Sequence, residues 1–167
     1  MIRLLSQIAI ACALLMLPVH ADPAPVARRL PVYDELADAT RDVLAAVKQA
    51  AVEKKLVLLV FGANWCPDCR AFDEDMNAAD LGSLLAEHYV VVKVDVGRFK
   101  KNLDVASRYG MRLRKGIPAA VIVSGEDKTL LLVEGTKLSD LRGDGRPKVV
   151  RYFDAALNPE KRALLNQ

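Results

Sequence analysis

Runs of apolar residues along the chain predict four strands. The run at 56–61 is continuous, has the length of a strand and is stopped by Gly62. Since no face of this run is polar, the pattern is typical of a central strand that is covered on both sides. Three further strands are predicted at 89–96, 119–123 and 129–134. Only a short turn separates the last two, which predicts an antiparallel hairpin.

Amphipathic segments between the strands predict helices. From Tyr33 to Lys54, apolar residues recur three and four positions apart, which places them on one helical face. Shorter helices are predicted at 70–77, at 80–85 with Asp80 as the capping residue, at 102–109 and at 147–157, with a polar loop at 143–147. The resulting order of helices and strands predicts an α/β domain with a mixed sheet and helices on both faces.

The amino terminus has the pattern of a secretory signal peptide. Residues 1–21 run from a single positive charge through about 14 apolar residues to a small residue, so cleavage is expected after Ala21. The apolar run is shorter than a membrane span of about 20 residues, and no stable anchor is expected after cleavage. An uncleaved anchor and a lipoprotein modified at Cys12 are the weaker alternatives. A flexible leader at 22–33 and one domain at 34–167 complete the predicted organisation, in a periplasmic or secreted protein.

Composition narrows the classes of partner. Hydrophobic residues make up 52% of the 167 residues, which predicts a folded domain. Removing 1–21 takes away one basic residue and no acid, so the formal net charge falls from +3 to +2. A charge this small and evenly spread argues against nucleic acid or a membrane surface as the partner. No dimerisation segment is apparent, so the protein is expected to be a monomer.

Two cysteines, Cys66 and Cys69, remain after signal cleavage, three positions apart between a predicted strand and a predicted helix. A disulfide across so short a loop stabilises a fold least, which argues against a structural staple. Structural zinc needs four ligands, and the chain adds only the distant His88. At a helix N-terminus a thiolate is stabilised, so we expect Cys66 to attack a disulfide and Cys69 to resolve the product. Pro67 suits the first helical turn.

The segment Trp65-Cys66-Pro67-Asp68-Cys69 resembles the active-site segment of the thioredoxin superfamily. A second match is Gly116-Ile117-Pro118 before a predicted strand, and Val133-Glu134-Gly135 resembles a later glycine of that family. The resemblance covers about residues 35–157. It implies a thioredoxin-like fold, in which a mixed four-stranded sheet is flanked by helices on both faces.

The resemblance also implies roles for individual residues. Cys66 would be the nucleophile and Cys69 the resolving thiol, while Trp65 would shape the surface beside them. Pro118, preceded by a cis bond, would present the backbone of Ile117 to a substrate strand. The implied partners are disulfides in proteins or small thiols together with an unidentified redox partner, and no bound cofactor is implied.

The chain departs from the family pattern around the cysteine pair. Val60 stands where many thioredoxins carry a buried aspartate, so the matching lysine, Lys93, is expected to act alone if it is not simply a solvated strand residue. The Asp68 carboxylate should oppose thiolate formation, and Arg70 should oppose that effect. The acids at 73–75 are expected to form a solvated helix face.

A third departure is a group of basic residues before the proline, namely Arg112, Arg114 and Lys115. They predict a substrate groove that prefers acidic or flexible partner segments. The sequence as a whole favours an exported thiol–disulfide oxidoreductase, with a reductase preferred to an oxidase. Two other classes stay open: a Cu(I) carrier that uses both thiolates, and a redox-inert binding module that uses the same groove.

Overall fold

A computed structural model describes residues 31–165 and contains one mixed sheet. Its strands are β1 (Leu56–Gly62), β2 (Tyr89–Asp95), β3 (Ala119–Val123) and β4 (Thr129–Val133). They lie in the order β2-β1-β3-β4, with β1 parallel to β2 and the pairs β1–β3 and β3–β4 antiparallel. The predicted central strand and terminal hairpin are therefore confirmed.

Seven helices surround this sheet within the described residues. They are α1 (Ala39–Glu53), α2 (Pro67–Met76), α3 (Ala79–His88), α4 (Leu103–Arg108), α5 (Gly135–Gly143), α6 (Arg146–Ala155) and α7 (Pro159–Leu165), with a 3-10 turn at Leu113–Lys115. The prediction missed α5 and α7. Helix α5 is mostly polar and has a glycine at each end, so its sequence lacks a clear apolar stripe. The predicted loop at 143–147 was therefore wrong in its extent, because helices occupy most of it.

Alternate residues of β1 enter two cores on opposite faces of the sheet. Val57, Leu59 and Phe61 pack on one side, with residues of α1 and α4. Leu58 and Val60 pack on the other side, with residues of α2, α3, α5 and α6. Because successive side chains of a strand point to opposite faces, a continuous apolar run is what a sheet between two helical layers requires. The α/β fold with helices on both faces is confirmed.

Several predicted boundaries shift in the structure. Helix α2 begins at Pro67 rather than at residue 70, and α1 begins six residues after Tyr33. Asp80 is not the cap of α3 but lies in its first turn, where its carboxylate accepts a hydrogen bond from Arg146 at 3.1 Å. Tyr33, placed at the end of the predicted leader, is fully buried in the domain.

The amino-terminal predictions fall mostly on residues that the structure does not describe. The signal peptide at 1–21 and the leader up to residue 30 lie outside the described residues. Between residues 31 and 165, none of the helices has the length and apolar character needed to cross a membrane.

Candidate redox site

The cysteine pair lies where β1 gives way to α2. Cys66 is the N-cap of α2, and its Sγ accepts a hydrogen bond from the backbone N–H of Cys69 at 3.2 Å. Pro67 occupies the first turn, where the absence of an N–H has no cost. Both cysteines are free thiols and buried, with Cys69 wholly inaccessible and Cys66 4% exposed. Of the two cysteines, only Cys66 is thus accessible to solvent, and only in small part.

The loop before β3, at the same end of the sheet as Cys66, packs over this cysteine. The Cys66 thiol donates to the carbonyl oxygen of Ile117, with the two atoms 3.6 Å apart. The peptide bond between Ile117 and Pro118 is cis. The backbone carbonyl of Ile117 therefore lies directly beside the Cys66 thiol, which the sequence predicts to be the nucleophile.

The first residue of α5 holds this loop in place. A Cβ atom at Gly135 would lie only 2.4 Å from the carbonyl oxygen of Gly116 and 2.6 Å from that of Lys115. Real Cβ atoms do not approach backbone this closely, so the contact requires glycine. The glycine that resembles a later family glycine thus lets α5 pack against the loop that carries Ile117.

Trp65 forms a partly exposed surface beside the pair. Its indole N–H donates to the carbonyl oxygen of Gly97 at 2.8 Å, and its ring contacts the edge of Phe99 with 6.2 Å between centroids. The Arg98 guanidinium lies 5.6 Å from the centre of the indole ring. With 44% of its surface exposed, Trp65 is a surface residue and not part of the core.

An open groove of about 710 Å³ adjoins this surface. Phe99 lines it together with Leu103, Met111, Arg112, Leu113 and Arg114. Phe99 also touches Trp65, and the 3-10 turn that lines the groove ends at Lys115, two residues before Ile117. Its walls combine apolar side chains with exposed guanidinium groups.

The expectation that Lys93 acts alone is wrong. Lys93 lies opposite Val60 in the β1–β2 register, and its ammonium group forms an ion pair with Asp73. Asp73 is therefore not part of a solvated face, since its side chain is only 17% exposed. It follows Cys69 by four residues on α2, which places both on one side of the helix. The carboxylate that pairs with Lys93 thus comes from α2, while the strand position opposite Lys93 is Val60.

Arg70 binds the backbone of the turn before the cysteines. Its guanidinium donates to the carbonyl oxygen of Asn64 at 2.8 Å, which fixes the turn before the cysteines. Asp68 instead pairs with Arg142 of α5, at 3.8 Å, and Arg142 also binds Asp75 at 2.9 Å. Asp68 is largely exposed, so solvent screens its charge. No local pattern pointed to Arg142, because it belongs to the unpredicted helix.

Burial raises the pKa of the Cys69 thiol far above its usual range, and the neighbouring Cys66 sulfur adds to that effect. A hydrogen bond with the backbone of Ala63 acts in the opposite direction. Cys69 is accordingly a protonated thiol at neutral pH in the reduced protein. It must lose this proton before it can attack a disulfide.

The raised pKa predicts that the reduced protein loses stability in alkaline solution. The folded state keeps the Cys69 proton, whereas the unfolded chain releases it above pH 8.5 or so, which is about the usual thiol pKa. The free energy of unfolding should therefore fall as pH rises, by up to about 1.4 kcal/mol per pH unit. Urea titrations with reductant between about pH 7.5 and 9.5 measure this slope. Cys69→Ala should flatten it, and an equal slope in that variant would contradict the assignment.

No group of three or more histidine, cysteine, aspartate or glutamate side chains in residues 31–165 is arranged to hold a metal ion. A metal at this site would have to rely on the two thiolates. Such a pair suits Cu(I) far better than zinc, which takes four ligands in structural sites.

Comparisons with known proteins define the class. A family model of thioredoxin-like proteins matches residues 38–125, which is more than half of the chain. The solved structure of a disulphide isomerase from Xylella fastidiosa Temecula1 is 38% identical; the match covers 76% of this chain and 97% of that one, with a TM-score of 0.72. Among curated protein sequences, none matches.

Two more distant structures also match. A thioredoxin from Trichomonas vaginalis is 28% identical over 68% of this chain and 89% of its own, with a TM-score of 0.44. The DsbD c-terminal domain from Neisseria meningitidis, in the reduced form, is 22% identical over 69% and 94%, with a TM-score of 0.45.

The chain belongs to the thioredoxin-like family. Together with the cysteine pair at the start of α2, this membership supports thiol–disulfide oxidoreductase chemistry at a general level.

Proposed function

We propose that this thiol–disulfide oxidoreductase acts outside the cytoplasm as a reductase of disulfides in protein or small-thiol partners. One observation carries the proposal: Cys66 caps α2 beside the Ile117 carbonyl, with Cys69 buried one turn behind it. Location outside the cytoplasm rests on the signal-peptide pattern of residues 1–21. The protein would work as a monomer with a separate redox partner.

The proposed reaction transfers two electrons in two exchange steps. The Cys66 thiolate attacks one sulfur of the substrate disulfide, which forms a mixed disulfide and releases the other sulfur as a thiolate. Cys69 then attacks Cys66 Sγ and releases the second substrate sulfur. The substrate leaves as a dithiol and the protein as the Cys66–Cys69 disulfide. A redox partner must return two electrons before the next cycle.

The surroundings of the pair support reduction over oxidation. Strong oxidants of this class have a stabilised reduced form, because a low thiol pKa favours the thiolate. Here the Asp68 carboxylate lies in the first turn of α2 and raises the pKa of the Cys69 thiol. A carboxylate beside the pair opposes a thiolate and so favours donating electrons, although the effect is small because Asp68 is largely exposed to solvent.

The reduction potential tests this direction. Equilibration of the Cys66–Cys69 couple with a glutathione series should give a value nearer to that of thioredoxin, about −270 mV, than to that of strong oxidants, about −120 mV. The reduced protein should also reduce insulin. A potential near the oxidant value would overturn the reductase assignment and leave the general class intact.

A second candidate is disulfide isomerisation, favoured by the 38% identity to the disulphide isomerase from Xylella fastidiosa Temecula1. Isomerisation needs the attack by Cys66 and its release, but no net electron transfer. An assay that distinguishes isomerase from reductase activity is the reactivation of an enzyme whose disulfides have been mispaired. An isomerase would reactivate it catalytically in a redox-neutral mixture, whereas a reductase would need continual re-reduction.

We further propose that the groove selects acidic partner segments. Arg112 and Arg114 line it and are exposed, whereas Lys115 is paired with Glu134 at 2.6 Å. Of the three basic residues that the sequence predicts to bind partners, two therefore line the groove with exposed guanidinium groups, and the third is engaged by Glu134.

Reversing both charges with Arg112→Glu and Arg114→Glu should slow exchange with an acidic disulfide peptide by about tenfold at low salt. Exchange with a neutral peptide of the same length should change little. Reversal of Arg151 and Lys161, which are exposed on α6 and α7, provides the charge-matched control. Equal rates for wild type and the Arg112/Arg114 variant on both peptides would contradict the proposed preference.

A further inference from the structure

Tyr33 is a titratable side chain that the exchange reaction above does not use. It is fully buried and packs in a small cluster with Cys66 and Cys69. It comes from the segment before α1, far from the cysteines in the sequence. A tyrosine ring needs no polar partner to fill a core, so the position of its hydroxyl is the informative feature.

A pair of hydrogen bonds holds Tyr33 against the active-site turn. The backbone N–H of Tyr33 donates to Asn64 Oδ1 at 2.9 Å, and Asn64 Nδ2 donates to the Tyr33 carbonyl oxygen at 2.9 Å. Asn64 lies two residues before Cys66. The same turn therefore sets the positions of the nucleophile and of Tyr33.

The hydroxyl lies beside the resolving thiol. A Cβ atom built at Gly62 would be 2.2 Å from the Tyr33 hydroxyl oxygen and 3.0 Å from Cys69 Sγ, so both polar atoms converge on the bare backbone of Gly62. Among the described residues, this hydroxyl completes no hydrogen bond. A buried hydroxyl without a partner is costly, so its placement next to a reactive sulfur requires an explanation.

The charges around the hydroxyl keep it protonated. Burial raises the pKa of Tyr33 well above its usual range, and negative charge on Cys69, Cys66 or Asp73 raises it further. Lys93 from β2 is bound to Asp73, and Asp68 acts on Cys69 from the first turn of α2. Tyr33 is therefore a neutral O–H donor at neutral pH and does not act as a base there.

We propose that Tyr33 is the third residue of the redox site and that its hydroxyl donates a hydrogen bond to the Cys69 thiolate during resolution. The inference rests on the proposed function and adds the group that stabilises the resolving thiolate. In this step the Cys69 sulfur–hydrogen bond breaks, a bond forms from Cys69 Sγ to Cys66 Sγ, and the bond from Cys66 to the substrate sulfur breaks. The proton lost by Cys69 balances the one gained by the departing thiolate, and Tyr33 keeps its own.

The test measures the ionisation of Cys69 without any substrate. In a Cys66→Ser background, the rate of Cys69 alkylation by iodoacetamide is followed by mass spectrometry of the peptide that contains it, across a pH series. Adding Tyr33→Phe should slow alkylation about fivefold at neutral to mildly alkaline pH, because the thiolate loses a donor. The titration midpoint of Cys69, read from the NMR shift of its Cβ, should move to higher pH.

Tyr109→Phe is the matched control. It removes a tyrosine hydroxyl that binds Asp127 at 2.6 Å, in a contact that involves neither cysteine, and should leave the Cys69 midpoint unchanged. An unchanged Cys69 midpoint in Tyr33→Phe would overturn the proposal, whatever the alkylation rate, since altered packing could change access alone. Because no disulfide substrate is used, this outcome is independent of whether the protein is a reductase.

Discussion

Replacing Cys66 with serine is expected to reduce disulfide reductase activity to the uncatalysed background, a loss on the order of a thousandfold or more. Serine keeps an N-cap acceptor for α2, with Oγ in place of Sγ, but provides no thiolate, so the fold should persist while the attacking group is lost. Insulin reduction with a thiol donor measures this loss. Cys12→Ser applies the same substitution to the third cysteine, in the predicted signal peptide, and should leave activity unchanged.

Cys69→Ala should have a different effect, because the first exchange needs only Cys66. Mixed disulfides between Cys66 and substrate should accumulate and be visible by mass spectrometry under non-reducing conditions. The Cys66→Ser/Cys69→Ala double variant should trap nothing. If Cys66→Ser retained reductase activity, or if the traps formed through Cys69, the assignment of nucleophile and resolving thiol would be wrong.

Gly135→Ala is expected to cost about 2 kcal/mol or more in the free energy of unfolding and to impair exchange as well. The added methyl group would lie 2.4 Å from a backbone oxygen, and backbone cannot move aside as a flexible side chain can. To relieve this clash, the backbone of the loop at 113–117 would have to move, and this movement should displace the Ile117 carbonyl from Cys66. Urea unfolding measures the stability, and exchange with a disulfide peptide measures the activity.

Gly143→Ala is the control within the same helix. Among the described residues, no atom beyond the chain neighbours and the helix's own backbone lies within 4 Å of a Cβ at Gly143, and alanine is the better helix former, so stability should be equal or slightly higher. Wild-type stability in Gly135→Ala would show that the loop and α5 are free to separate. The close approach would then not be what holds Ile117 beside the nucleophile.

The features that local sequence could predict are those that depend on neighbours along the chain. The apolar run at 56–61 has no polar face, which was enough to predict a central strand covered on both sides. The short turn before Thr129 predicted the hairpin. Cys66 and Cys69 were predicted as a redox pair because a strand, a cap position and a helical turn follow one another directly in the sequence.

The partners of the charged residues near the site could not be predicted in this way. Lys93 was expected to act alone, yet α2 brings Asp73 to it. Arg70 was expected to oppose the charge of Asp68, yet Arg142 approaches from α5, a helix without an apolar stripe to reveal it. Ion pairs between elements depend on how helices pack on the sheet, which hydrophobic periodicity does not specify.

By itself, the sequence determined the strand order along the chain, the amphipathic helices and the cysteine pair at a helix start, because each follows from residue spacing within one segment. Only the tertiary structure decided what surrounds that pair. It brings Ile117 over Cys66, packs Gly135 against the same loop and buries Tyr33 against Cys69. These contacts join residues far apart in sequence, and sheet pairing and core packing alone create them.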